Sequence, residues 1–136
     1  MRDDPQANLD KVERMIGTIC DKSVRMAVFG EAGISGVEND YKKIADPVPG
    51  RVSEGLERIA RKHNIWICGG TIEMIGEKAA NSLLMVSPVK GLVANYRKIH
   101  MFRSEKETMI PGDEPMVVDT ELGKVGLTIC YDFIFS

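Results

Sequence analysis

Three short segments place reactive side chains beside apolar runs of strand length. "MAVFGEAGISG" leads into Glu31, "GLVANYRKIH" carries Lys98, and "KVGLTICYD" delivers Cys130. A carboxylate, an ammonium and a thiol form a coherent chemical set. The thiolate is the nucleophile, and a free thiol with a pKa of about 8.5 is mostly protonated at neutral pH. Glu31 is suited to take its proton as general base. Lys98 is suited to lower the thiol pKa and then to stabilise an oxyanion on a carbonyl or nitrile carbon under attack. The backbone N–H of Tyr131, directly after the nucleophile, offers a second oxyanion donor.

Each residue also has a plainer reading. A cysteine that ends an apolar strand is commonly an inert core thiol. Glu31 alone reads as a solvated loop acid, and Lys98 as a surface charge beside Arg97 and His100. A rival arrangement pairs Cys130 with His100 as its base. It requires residues 98–100 to stay extended, so that His100 shares a face with Lys98. His63 reads as a helix-terminus residue. Cys20 and Cys68, in a helix stripe and a strand, read as structural. Gly69-Gly70 is no phosphate loop, because no Gly-Lys-Ser/Thr follows.

These side chains need elements to hold them. Asp3 or Asp4 can cap a first helix, Pro5 suits its first turn, and Leu9, Val12, Ile16, Ile19 and Cys20 fall on one face. Met26 to Gly30 is a short strand. Residues 31–50, rich in Gly, Asp, Asn and Pro, read as a loop with one helical turn. Ser53 lies near the start of a second amphipathic helix with the stripe Val52, Leu56, Ile59 and Ala60. Asn64 to Glu73, "NSLLMVSP" and "GLVANYRK" read as three strands, the last two joined by a turn through Pro88, Lys90 and Gly91. Residues 99–114 form a charged loop closed by Pro111-Gly112-Asp113. "PMVVDT" and "KVGLTIC" pair as a hairpin across Glu121-Leu122-Gly123. Two helices that each need a sheet, followed by strands in tight turns, predict a layered α/β domain.

The 136 residues suffice for one domain. A net charge of −2 gives no reason to expect nucleic acid or an anionic membrane as partner. No apolar run reaches bilayer-spanning length. Three cysteines without close pairing suit reduced thiols and a cytoplasmic location. No two of them, and neither histidine, sit at zinc-ligand spacing, so no metal site is expected.

Together, "VFGEAGISG", "NYRKIHMF" and "VGLTICYDF" resemble the three signature regions of the nitrilase superfamily of carbon–nitrogen hydrolases, in the same order. The likeness extends to "DPQANLDKVERMI" and "EKETMIPGDE", so residues 1–136 resemble part of one carbon–nitrogen hydrolase domain. The resemblance implies an α-β-β-α four-layer sandwich, incomplete here, with a first strand and a C-terminal half expected beyond this chain. It implies a triad of Glu31 as base, Lys98 as stabiliser of the tetrahedral intermediate and Cys130 as nucleophile. A second glutamate that orients Lys98 matches Glu105 best, with Glu107 as the fallback. The implied substrate is a small-molecule amide, carbamoyl compound or nitrile, cleaved without a metal or organic cofactor, in an enzyme that assembles as a homo-oligomer when complete. One departure is Gly30, where family members carry Pro before the base, so Glu31 is expected to be less rigidly aimed. The chain alone is expected to be inactive and unstable as a monomer. The alternative function is a non-catalytic remnant that folds or binds only within an assembly.

Overall fold

In the computed structural model, which describes residues 3–19, 23–38, 40–103 and 105–135, the first helix starts at a side-chain cap. Asp4 Oδ1 accepts hydrogen bonds from the N–H groups of Gln6 (3.0 Å) and Ala7 (3.1 Å), and helix α1 runs Pro5–Ile19. Leu9, Val12 and Ile16 are buried on its inner face. Ile19, in the last turn, is instead half exposed. Cys20, assigned by periodicity to the same face, lies outside the described residues. Helix α2, Arg51–His63, buries Val52, Leu56, Ile59 and Ala60 as its spacing predicts. Ser53 Oγ closes its first turn by accepting from the Gly50 N–H (2.9 Å) and donating to the Gly50 carbonyl (3.0 Å).

Four strands form one sheet in the order β1 (Met26–Phe29), β2 (Trp66–Ile75), β3 (Lys78–Ser87) and β4 (Gly91–Arg97). The β1–β2 pair is parallel, and the other two pairs are antiparallel. Strands alternate their side chains between two faces. One face carries Ala27, Ile67, Leu84 and Val86, and these pack with α1 and α2 in the main core. The other face carries Trp66, Cys68, Met85, Ala94 and Tyr96. On it sits a hairpin of β5 (Met116–Thr120) and β6 (Gly123–Leu127), through Leu127, Val118, Val125 and neighbours. Trp66 Nε1 donates to Glu121 Oε1 in the hairpin turn at 2.6 Å, fixing that end of the hairpin against β2. Helices, sheet and hairpin thus stack as α-β-β.

Two expectations from the sequence are corrected. The charged loop 99–114 contains a one-turn helix α3, Glu105–Thr108, and residues 99–100 bend away from the direction of β4. The strand expected to run to Cys130 ends at Leu127. Cys130 itself has φ +46° and opens a 3-10 turn, Cys130–Ile134. A non-glycine residue there is costly in isolation and is held only where surrounding contacts over-determine it.

Candidate active site

Glu31 arrives from the loop after β1. That loop tracks the edge of β2 beyond the end of β1: Ile34 N–H donates to the Gly70 carbonyl (2.8 Å), and Ile72 N–H donates to Ser35 Oγ (3.1 Å). The Glu31 main chain crosses directly over Gly70. A Cβ on Gly70 would lie 2.4 Å from the Gly30 oxygen and 2.9 Å from Glu31 Cα. Gly70 is therefore needed for close backbone approach, a role that its pairing with Gly69 in sequence did not disclose.

Lys98 follows β4 and points to the hairpin face. Its main chain is clamped from both sides. Lys98 N–H donates to the Asn81 carbonyl (2.8 Å), and Gly112 N–H donates to the Lys98 carbonyl (2.9 Å). The side chain is 1% exposed. Its Nζ donates to Glu31 Oε1 (2.7 Å) and to Glu105 Oε2 (2.9 Å) and Oε1 (3.2 Å). Burial alone would push this ammonium down, but the hydrogen bonds and charges of Glu31 and Glu105 outweigh it and hold its pKa above the usual lysine range. Glu105 Oε2 also accepts from the Phe102 N–H at 2.7 Å, which ties α3 to the site. Glu107 points to solvent. Of the two glutamates singled out in the loop, the geometry brings Glu105 to Lys98.

The thiol of Cys130 is exposed to the cleft and hydrogen-bonds to Glu31. That bond, with partial burial and the carboxylate charges, raises its pKa above the ordinary thiol value despite the opposing charge of Lys98. The expected lowering by Lys98 is therefore overridden, since one ammonium faces two carboxylates. For Glu31, burial would raise the pKa, but hydrogen bonds from Lys98, Cys130 and Asn81 lower it below the usual carboxylate range. At rest the pair is a thiol beside a carboxylate.

Asp132 sets the elbow that carries the cysteine. It is buried, and its Oδ2 accepts from Tyr96 OH (2.7 Å) and the Ile129 N–H (3.0 Å). Its Oδ1 accepts from the His100 N–H (2.8 Å) and lies 3.1 Å from His100 Nδ1. His100 stacks on Phe135 and lines a separate cavity. The bend at 99–100 has turned it away from the face of Lys98, so the Cys–His pairing gains no geometric support. Tyr131 follows Cys130 in the same turn, with its ring against Phe102 and Phe135. Cys68 is buried, and burial pushes its pKa up to about 11, as befits a structural thiol.

Two residues of this site escaped the sequence reading. Asp132 carries no signal in the sequence beyond its place in the motif "VGLTICYDF". Asn81 stands in an apolar strand run, where a lone amide on the inner face is itself a signal. Glu31, Asn81, Lys98, Glu105 and Cys130 line a cleft of about 290 Å³, walled by Val37, Tyr41, Ile72, Phe102 and Met109 and edged by Arg103. Among the described residues no group of carboxylates, histidines and cysteines is arranged to hold a metal ion.

Known proteins resemble this chain in sequence and fold. The chain is 33% identical to a hydrolase of Mycobacterium tuberculosis over 139 residues, covering 97% of this chain and 50% of that protein. It is 32% identical to an omega-amidase of Xenopus laevis over 140 residues, covering 95% of this chain and 51% of the relative. Nit3 of Saccharomyces cerevisiae, a member of the nitrilase superfamily, superposes with a TM-score of 0.86 at 28% identity, over 98% of this chain and 53% of the other. The chain spans about half the length of the curated relatives it matches. The family model described as carbon-nitrogen hydrolase matches residues 2–136, which takes in the segments of Glu31, Lys98 and Cys130, and the chain belongs to that family.

Proposed function

We propose that the protein carrying this chain hydrolyses a carbon–nitrogen bond of a small-molecule amide, carbamoyl compound or nitrile through a covalent intermediate on Cys130. The observation that carries this reading is the convergence of Glu31, Lys98, Glu105 and Cys130, from four separate elements, on one cleft.

For an amide the steps balance as follows. Glu31 takes the thiol proton as the sulfur attacks the carbonyl carbon. The resulting oxyanion is stabilised by Lys98 and by the backbone N–H of Tyr131. Collapse breaks the carbon–nitrogen bond, and Glu31 returns its proton to the leaving nitrogen, which departs as ammonia or an amine. Water then attacks the thioester, with Glu31 accepting its proton, and the acid product leaves as the thiol is restored. Glu105 holds Lys98 in place by two short contacts. The raised thiol pKa supports a cysteine that stays protonated until a substrate is present. The route requires no cofactor. Unpaired Cys68 and Cys130 fit a reducing, cytoplasmic setting, and self-association of the whole enzyme is part of this reading.

The test is ammonia release from a panel of small primary amides. Cys130→Ala abolishes it, and Cys68→Ala leaves it largely intact. Retained turnover in Cys130→Ala contradicts the reading.

A further inference from the structure

We propose that Asn81 is a positioning residue of this site: its amide nitrogen gives one hydrogen to Glu31 and one to Glu105, and so fixes which carboxylate oxygens face Lys98 and which is left for the thiol. The kinetic part of this inference rests on the hydrolase reading, and the structural part does not.

Asn81 lies on β3 opposite Ile72, on the face that carries the site, and is 2% exposed. Its Nδ2 donates to Glu31 Oε1 at 2.7 Å and to Glu105 Oε1 at 3.0 Å. An amide nitrogen has two hydrogens, and both are used. The reversed orientation would set the carbonyl oxygen against two carboxylates, so the partners themselves determine which way the amide points. The consequence appears at the other end. Asn81 Oδ1 is buried with no hydrogen-bond partner. A buried orphan acceptor is costly, and an asparagine kept only for packing or fold would satisfy both ends. Here one end is left unsatisfied while the other binds both acids.

The arrangement also distinguishes the two oxygens of Glu31. Oε1 receives both Lys98 and Asn81. Oε2 is engaged by neither of these donors, and in this proposal it is the oxygen that takes the thiol proton. The two acids outnumber the single ammonium by one charge, and the polarised N–H groups of Asn81 supply the remaining donors. Groups facing Glu31 are Lys98 from the end of β4, Glu105 from α3 and Cys130 from the turn after β6, with Tyr41 and Arg103 at the edge of the cleft. Removing the Asn81 donors takes away one of the hydrogen bonds that hold the Glu31 carboxyl below its usual range. Glu31 then ionises at higher pH, and the thiol beside it holds its proton to higher pH.

Asn81→Leu keeps much of the volume and removes the donors together with the orphan oxygen. We measure thermal melting, the pH dependence of kcat/KM on an amide, and the pH dependence of Cys130 alkylation by iodoacetamide, mapped by mass spectrometry with Cys68 as internal control. The expected result is a folded protein with an unchanged or modestly lower Tm and a loss of about 10–100-fold in kcat/KM at neutral pH. The acid limb of kcat/KM and the alkylation midpoint should both move up by about one pH unit. Asn81→Asp, with the same shape and its donors replaced by acceptors, shifts both further up. Should the leucine variant fail to fold, the aspartate variant decides. Midpoints that stay at wild-type values in the folded variants overturn the proposal. So does a lowered Tm with unmoved midpoints, or misfolding of both variants, since each marks a merely structural asparagine. If the wild-type protein hydrolyses no amide, the hydrolase reading falls, and the alkylation midpoints alone still decide the role of Asn81.

Discussion

Cys130 keeps its proton at rest because its thiol is hydrogen-bonded to a carboxylate, and the neighbouring ammonium is shared between two acids. This separates two properties that nucleophilic cysteines often combine, a low pKa and an adjacent base. Glu31→Gln should therefore act in opposite directions on two assays. Hydrolysis falls by about 10²–10⁴ with loss of the base. Simple alkylation of Cys130 at pH of about 8 becomes faster, because the largest cause of its raised pKa has been removed. Slower alkylation in this variant would contradict the assigned charge balance. For Lys98→Ala, loss of an oxyanion donor lowers kcat by about 10²–10³. At this scale the reactive types were readable from the chain, since Glu31, Lys98 and Cys130 each follow an apolar strand run. Their protonation states were not, because they depend on Glu105 and Asn81 reaching the same point from α3 and β3. An amide inside "NSLLMVSP" shows its purpose only once strand alternation places it on the site face.

Elements place these groups through close approaches that no local pattern announces. Gly70 lets the Glu31 loop cross β2, and a Cβ there would collide with backbone. Gly70→Ala should displace Glu31 and remove activity, with a destabilisation of about 1–3 kcal/mol from overpacking, read by denaturant unfolding. Gly30 behaves differently. A Cβ at Gly30 meets nothing within 4 Å, and its φ is not in the left-handed region. Whatever freedom that glycine gives the main chain, Lys98 and Asn81 both hydrogen-bond the Glu31 carboxylate. Gly30→Ala should leave turnover intact and stabilise by about 0.4–1 kcal/mol. The elbow after β6 depends on Asp132 in the same way. Helices and strands were legible from hydrophobic spacing, as the buried stripe of α2 demonstrates. The left-handed turn at Cys130 was not, because it is imposed by hydrogen bonds from Tyr96, His100 and Ile129 to one carboxylate. Asp132→Asn should cost about 1.5–3 kcal/mol by weakening charge-assisted bonds. The sign of its pH effect follows from its lowered pKa. Hydrogen bonds from His100, Ile129 and Tyr96 outweigh burial, so its contribution is present above the unfolded carboxylate pKa and is lost as pH falls through the lower folded one. Melting of Asp132→Asn should accordingly vary less with pH below about 4 than melting of the wild type.

The whole molecule stacks helices on one sheet face and the groups of the candidate site, with the hairpin, on the other. Its surface carries several exposed large apolar side chains. Val28 on edge strand β1, Val117 on the hairpin, and Phe133, Ile134 and Phe135 beyond the cysteine are exposed. Open strand edges and apolar clusters favour association. Sedimentation of the purified 136-residue polypeptide should show self-association, and a compact, sharply melting monomer would contradict this expectation. The layered α/β class was legible from the order of helices and strands. Which sheet face carries chemistry was not, because strand alternation assigns faces only relative to one another until the helices are docked. The most direct test of the account as a whole is trapping of the covalent intermediate. The protein carrying this chain is mixed with a small primary amide that it hydrolyses, quenched in acid within the first turnovers, digested and analysed by mass spectrometry. An acyl adduct is expected on the Cys130 peptide and is absent in Cys130→Ala. An adduct on Cys68, or steady hydrolysis with Cys130 unmodified and replaceable by alanine, would contradict it.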